Sequence, residues 1–177
     1  MSGEFDLIQT YFQHATTPRD DVPLGIGDDC ALLQVRPGAQ LAVSTDTLVC
    51  GRHFVEYANP ESLGHKALAV NLSDLAAMGA EPAWVSLAIS LPGADTAWQQ
   101  WLAGFMQGFV ALAEEHKVQL IGGDTTRGTL SITVTVQGFV SPGEALLRGG
   151  AGVGDLLYVS GTLGDAGLAL LAQQGLY

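Results

Sequence analysis

Hydrophobic residues recur along this chain with two periods, and the switches between them lay out the elements. Phe5, Ile8 and Phe12 fall at helical spacing between Glu4 and His14 and predict a short opening helix before the turn-rich Thr16-Thr-Pro-Arg-Asp-Asp-Val-Pro23. Ala31-Leu-Leu-Gln-Val35 reads as a strand, Pro37-Gly38 as a turn, and Leu41-Ala-Val-Ser44 as a second strand that delivers Ser44-Thr-Asp-Thr47 at its end. Asn59 and Pro60 form a cap and first turn for a helix through Leu63, Ala67, Val70 and Leu75, stopped by Gly79. Asn71 and Asp74 share one face of that helix, beside an apolar stripe of Leu68, Leu72 and Leu75. The alternating run Ala83–Leu91 predicts a strand. Asp95 caps a long helix carrying Trp98, Trp101, Phe105 and Phe109 to about His116. Val118-Gln-Leu-Ile121 is a short buried strand ending on Gly122-Gly-Asp124, and Leu130–Val140 is a long alternating one.

The resulting order, β-β-α-β-α-β-β, points to an α+β sandwich, with helices on one face of a mainly antiparallel sheet. The other face needs cover, and the patterning of Val134 and Val136 makes a partner subunit a candidate, so a homodimer is expected. Arg148-Gly-Gly-Ala-Gly-Val-Gly154 reads as a linker between a domain over 1–148 and a second one that begins at 149. In 149–177 a strand at Asp155–Ser160 leads into Gly161-Thr-Leu-Gly-Asp-Ala-Gly167 and the start of a helix, too little to fold by itself, so a truncated second domain is expected.

Composition narrows the choice of partners. The chain has 177 residues, 47% of them hydrophobic, enough for one substantial core. Its 18 acidic residues against 7 basic ones give a formal charge of −11, which excludes a nucleic-acid footprint and would repel a nucleotide unless bound cations reversed the local field. No secretory signal and no bilayer-length apolar run stand out, so no membrane role and a cytoplasmic location are expected. Cys30 and Cys50 have no metal-ligand spacing and read as small buried hydrophobes.

Four oxygen-rich stretches carry the candidate chemistry: Gly25-Ile-Gly-Asp-Asp-Cys30, Ser44-Thr-Asp-Thr47, Asn71-Leu-Ser-Asp74 and Gly122-Gly-Asp-Thr-Thr-Arg127. Should they converge, they make a site for a hard divalent cation, with phosphate oxygens completing its shell. Each also has a plainer reading. One of Asp28 and Asp29 is expected to cap a turn amide, and Asp124 follows a Gly-Gly turn. Asp74, in an otherwise apolar helix, is expected to need a partner, for which a cation is a better candidate than the few Lys and Arg. Arg127 and Arg148 suit either a phosphate clamp or an exposed surface pair. His53 suits a substrate contact or a core position, the second being commoner, and Lys66 reads as a solvated helix residue. The chain contains no P-loop, and Gly161, Gly164 and Gly167 suit a phosphate approach or a tight turn equally.

Taken together, Gly25-Ile-Gly-Asp-Asp-Cys-Ala31, Ser44-Thr-Asp-Thr47 with Gly51-Arg-His-Phe54, Lys66-Ala-Leu-Ala-Val-Asn-Leu-Ser-Asp-Leu-Ala-Ala-Met-Gly-Ala80 and Gly122-Gly-Asp-Thr-Thr-Arg127 closely resemble thiamine-monophosphate kinase in order and spacing, over nearly the whole chain. The acidic helix alone is similar to a wider superfamily that includes aminoimidazole ribonucleotide synthetase, selenophosphate synthetase and a hydrogenase maturation factor. The resemblance implies ATP-dependent phosphorylation of thiamine phosphate to thiamine diphosphate, with several magnesium ions held by Asp29, Ser44, Thr45, Asp46, Asp74 and Asp124. It further implies ATP contacts from Gly123, Asp124 and Arg148, a thiamine phosphate contact from His53, and no catalytic residue beyond the metal and ATP ligands. Homodimers joined through their N-terminal sheets, and a second α/β domain, are also implied. The runner-up readings are an aminoimidazole ribonucleotide synthetase-like enzyme and a non-catalytic dimerisation or nucleotide-binding module.

Overall fold

The computed structural model describes residues 4–176, and of Glu4, Phe5 and Asp6 only the helical backbone. Met1–Gly3, part of the N-terminus read as lacking a signal, and Tyr177, the last residue of the expected second domain, lie outside the described residues. The elements are α1 (Glu4–Tyr11), β1 (Gln40–Val49), α2 (Pro60–Ala77), β2 (Glu81–Leu91), α3 (Thr96–Glu115), β3 (Gln119–Arg127), β4 (Ser131–Val140) and α4 (Asp165–Gln173).

Both long helices start where local chemistry dictates. The Asn59 side chain accepts the Ser62 N–H with Pro60 in the first turn, and the Asp95 carboxylate accepts the Trp98 N–H at the head of α3. The four strands form one sheet in the order β1-β4-β2-β3. β1 and β2 both run antiparallel to β4, while β3 pairs parallel to β2, an arrangement that requires the crossover supplied by α3. The α+β expectation holds, with α2 and α3 over one face.

That face carries the main core. Alternate residues Val85, Leu87 and Ile89 of β2 and Ile132, Val134 and Val136 of β4 meet Leu68 and Leu75 of α2 and Phe105 and Phe109 of α3. The helices touch backbone to backbone: a Cβ on Gly64 would lie 1.9 Å from the Phe105 carbonyl oxygen, and one on Gly108 at the same distance from that of Glu61. Any larger residue there would force α2 and α3 apart.

Val134 and Val136, at 1% and 0% exposure, therefore face the helices and are not the residues that need a partner subunit. The opposite face is set by their odd-numbered neighbours. There the hydroxyls of Thr45 and Thr135, and of Thr47 and Thr133, meet at 2.9 Å, with Leu41 and Val43 exposed beside them on β1. A second cluster, Trp84, Ile121 and Phe139, occupies one region of this face and is covered by Val22, Ala31, Leu33 and Ala39.

The covering segment is the expected strand at 31–35, and it is not one. Leu32 and Gln34 each donate a single amide, to the Leu24 and Asp21 carbonyls, so the segment drapes over the sheet rather than joining it and no hairpin with β1 forms. Arg19 pairs with Asp21 at 2.7 Å, the Trp84 indole donates to Asp21, and Arg36 pairs with Glu81 while stacking 4.5 Å over Phe139.

Contacts divide the chain into two compact units, Met1–Leu146 and Leu147–Tyr177. Among the described residues of the second, α4 is the one regular element: the expected strand at Asp155–Ser160 is absent, since a lone extended segment has no ladder partner there. Of the two thiols, Cys50 is half-buried, but Cys30 is exposed, contrary to its reading as a buried hydrophobe. No helix among the described residues is long and apolar enough to cross a membrane.

Candidate functional site

The four oxygen-rich stretches do not converge on one point. They form two groups at opposite edges of the sheet, and among the described residues no three Asp, Glu, His or Cys side chains come close enough together to hold a metal ion.

The first group lies on the seam between β1 and α2. Ser44-Thr-Asp-Thr47 sits inside β1, not at its end, because β4 pairs with it throughout, Asp46 opposite Val134. On the strand's alternation Ser44 and Asp46 share the side of Leu48, which packs into the helical core, whereas Thr45 points to the other face. The Ser44 hydroxyl donates to the Asp74 carboxylate at 2.7 Å, and the Asp46 N–H donates to the Asn71 side-chain oxygen at 3.2 Å. Asn71, 1% exposed, also donates to the Ala67 carbonyl, so both ends of its amide are used. Further along, the Lys66 ammonium donates to the His53 carbonyl at 2.7 Å. Residue numbers fall along α2 as they rise along β1, so three polar ties follow one another down a single antiparallel contact.

Asp74 is exposed, not set in an apolar surround as the helix pattern suggested; its partner is a hydroxyl, and its charge remains uncompensated by any ion pair among the described residues. His53 is exposed too, at the turn after β1, rather than filling a core position. Asn71 belongs to a candidate stretch but not to the implied ligand set, and Lys66, read as a solvated helix residue, has a tie to His53 instead. The sequence signal for Asn71 was present, a polar residue on the helical face of Asp74. For Lys66 it was a basic residue upstream on the same helix in a chain holding only seven such residues.

The second group borders a cavity of about 910 Å³ beside β3, lined by Asp28, Asp29, Cys30, Gly122, Gly123 and Asp124 together with Ile8 and Phe12. Gly122-Gly-Asp124 lies within β3, which continues to Arg127 because β2 pairs with it, with a register shift between Val85 and Ser86. Gly123 has φ +153°, and a Cβ there would sit 1.8 Å from the Leu87 carbonyl oxygen, so only glycine fits. Asp28 accepts the Asp29 N–H at 2.8 Å, the turn role expected of one of the pair, which leaves the Asp29 carboxylate exposed. Asp124 and Arg127 are exposed as well.

Asp46 and Gly123 lie on one row across the sheet, through Val134 and Leu87, so the two groups are three strand spacings apart, roughly 14 Å. Arg148 belongs to the second unit and is exposed. In that unit Gly164 caps α4 without a side-chain bond, at φ +99°, as a tight turn demands.

Both groups offer oxygen only, and none of Asp29, Asp46, Asp74 or Asp124 has a cationic partner among the described residues. This donor set suits a hard cation of the magnesium kind, which takes one or two carboxylates and leaves its remaining positions to water and phosphate oxygens.

Residues 27–140 match the model of the AIR synthase related protein family, N-terminal domain. The chain is similar to the thiamine-monophosphate kinase of Escherichia coli (strain K12), 56% identical over 171 residues that make up 96% of this chain and 52% of that protein. Among solved structures it resembles the thiamine-monophosphate kinase of Stenotrophomonas maltophilia K279a, with TM-score 0.86 and 54% identity over 98% of this chain and 54% of that one. It also resembles AaThiL complexed with AMPPCP and TMP, with TM-score 0.70 and 34% identity over 97% and 53% of the two chains. The chain thus spans about half the length of the relatives it matches.

Proposed function

The chain belongs to the AIR synthase related protein family by its N-terminal domain, and on that premise we propose that it serves ATP-dependent phosphorylation of thiamine phosphate to thiamine diphosphate. The observation that carries this reading is the pair of oxygen-only groups, with carboxylates at Asp46 and Asp74 and at Asp29 and Asp124 that nothing basic neutralises. An anionic chain with a net charge of −11 would hold a nucleotide tail through cations, and these carboxylates are the groups we assign to them. The similarity to proteins named thiamine-monophosphate kinase, and to a structure complexed with AMPPCP and TMP, supports the choice of substrates.

In this reading Asp29, Ser44, Thr45, Asp46, Asp74 and Asp124 are magnesium ligands, Thr45 being the one whose hydroxyl bonds Thr135 on the opposite face of the sheet. Gly123, Asp124 and Arg148 contact ATP, and His53 contacts thiamine phosphate. Bound magnesium would neutralise charge on the phosphates as the γ-phosphoryl group moves. The acceptor needs little help from a base, because a phosphomonoester has a second pKa of about 6 and is largely ionised near neutral pH. What remains for the protein is to hold two anions in line. Gly123 keeps the β3 backbone flat against β2 beside the cavity, and the seam fixes Asp46 and Asp74 relative to each other. A homodimer joined through the sheet face that exposes Leu41 and Val43, and a cytoplasmic location, belong to the same reading.

Turnover of ATP with thiamine phosphate, followed by thiamine diphosphate formation, tests it in this chain and in a form extended through the half its relatives carry. Product in the extended form that disappears on chelating magnesium is the expected result. Turnover of a purine precursor with none of thiamine phosphate would overturn the assignment. In calorimetry Asp46→Asn should weaken magnesium and ATP binding together, and unchanged metal affinity removes Asp46 from the ligand set. Light scattering that gives a monomer at micromolar concentration counts against the dimer.

A further inference from the structure

The turn after β1 is closed by bonds that converge on one histidine. The His53 N–H donates to the Val49 carbonyl at 2.9 Å, the Arg52 N–H to the same oxygen at 3.1 Å, and the Gly51 N–H to the Phe54 carbonyl at 2.8 Å. The His53 ring completes the turn, its Nδ1 accepting the Val49 N–H at 3.0 Å. An amide N–H can only donate, so Nδ1 carries no proton and the ring hydrogen is on Nε2. With Nδ1 turned to the backbone and the residue exposed, Nε2–H is the free end of the ring, a single donor with a set direction.

The ends of this turn are held by the Cys50 N–H, which donates to the Leu130 carbonyl at 3.2 Å, and by Cys50 and Phe54, which pack against the main core. The tie from its exposed middle to α2 is Lys66. Its Nζ donates to the His53 carbonyl at 2.7 Å, across thirteen residues of sequence. Lys66 stands on α2 five residues before Asn71 and eight before Asp74, about 12 Å along the helix axis from the latter. The helix that ties β1 through Asn71 and Asp74 therefore also ties the turn that carries the imidazole. Gly51, Arg52 and His53 form the exposed tip between those anchors, and Lys66 ties that tip to α2.

We propose that Lys66 is a positioning residue for His53: by anchoring the His53 carbonyl to α2 it keeps the ring on the Val49 amide, so that Nε2–H is aimed at an acceptor oxygen of the phosphorylated acceptor substrate. The substrate's identity rests on the kinase reading above, while the tie between Lys66 and the ring does not. A lysine acting only as a solvated helix residue would leave substrate affinity untouched.

The test uses the full-length protein with Lys66→Met, Lys66→Arg, His53→Ala and the double variant His53→Ala/Lys66→Met. Lys66→Gln replaces Lys66→Met if the latter does not fold. Loss of one directed hydrogen bond to a charged acceptor should raise the KM for thiamine phosphate about tenfold in Lys66→Met, well beyond any change in kcat or in the KM for ATP. Lys66→Arg should recover most of that loss, and the double variant should match His53→Ala alone. An unmoved KM in Lys66→Met, or effects that multiply in the double variant, overturns the proposal. If the wild-type protein does not turn over thiamine phosphate, the kinase reading falls and hydrogen exchange at the Val49 amide decides separately. Exchange about tenfold faster in Lys66→Met upholds the positioning role, and unchanged exchange overturns it.

Discussion

The β1/α2 seam and the β3 edge both present carboxylates to solvent, yet they are built on different principles. On the seam, side chains do the positioning: Ser44 reaches Asp74, and the buried Asn71 amide bridges the Ala67 carbonyl and the Asp46 N–H. At the edge the backbone does it. Gly123 lets β3 run against β2, and Asp29 is carried on a loop that is pinned elsewhere, by Arg19, Asp21 and Trp84. A side-chain lattice degrades one bond at a time, whereas a strand that depends on a missing Cβ fails all at once. The edge should therefore be the more brittle half of the candidate site.

The sharpest break of this comparison is Gly123→Ala. A Cβ 1.8 Å from the Leu87 carbonyl oxygen cannot be accommodated without parting β3 from β2, and a loss of about 3 kcal/mol in urea denaturation is expected. Gly122→Ala, with nothing within 4 Å of the new atom, is its control and should cost less than about 1 kcal/mol. Equal losses at the two positions would remove the backbone argument. Next in size is Asn71→Ala on the seam. It leaves the Asp46 N–H without its side-chain partner in a site where Asn71 is 1% exposed, and it takes the second donor from the Ala67 carbonyl, which keeps its helical bond. About 2 kcal/mol should be lost, with β3 undisturbed in amide spectra.

Acid should separate the two regions further. The Arg19 guanidinium, hydrogen-bonded to Asp21, holds that carboxyl below its ordinary value of 3.8, partial burial opposes, and the Trp84 indole adds to the lowering. A carboxyl with a depressed folded pKa contributes stability that is present above 3.8 and lost as pH falls through its folded value. The loop that carries Asp28 and Asp29 should thus loosen below pH 3.8, reported by the Trp84 indole N–H resonance. In Asp21→Asn that pH dependence should vanish. A Trp84 resonance that does not move on acidification would show the loop to be held by its apolar contacts with Ile121 and Phe139 instead.

The same contrast explains what could be read from sequence. α2 and α3 were legible because Asn59, Pro60 and Asp95 mark their starts and a 3.6 period marks their faces; β2 and β4 were legible from clean alternation. The segment 31–35 misled because alternation reports burial, not pairing: Ala31 and Leu33 bury against Trp84, Ile121 and Phe139 with no ladder on either side. β1 and β3 ran longer than expected because Ser44-Thr-Asp-Thr47 and Gly122-Gly-Asp124 have turn chemistry, and neighbouring strands overrode it. For the site, the helical spacing of Asn71 and Asp74 was visible. The distance between β1 and β3 was not, since it follows from the strand order β1-β4-β2-β3, which no local pattern encodes. Nor was the Lys66 tie, which depends on where a turn outside the helix comes to rest.

The smallest expected effect tests whether the seam's order comes from its buried member or from its exposed one. Ser44→Ala removes a 2.7 Å bond to Asp74, but the carboxylate is exposed and water can take the hydroxyl's place. A loss of only about 0.5 kcal/mol is expected, several-fold below that of Asn71→Ala. The two changes should nonetheless be coupled, because Ser44 and Asp46 are two residues apart on one strand face and Asn71 and Asp74 three apart on one helix face. In a double-mutant cycle, losses that fall short of their sum would mean that the Asn71 bridge sets the spacing at which Ser44 meets Asp74. Strict additivity would mean that each tie forms independently, and the seam would then be two contacts rather than one preorganised surface.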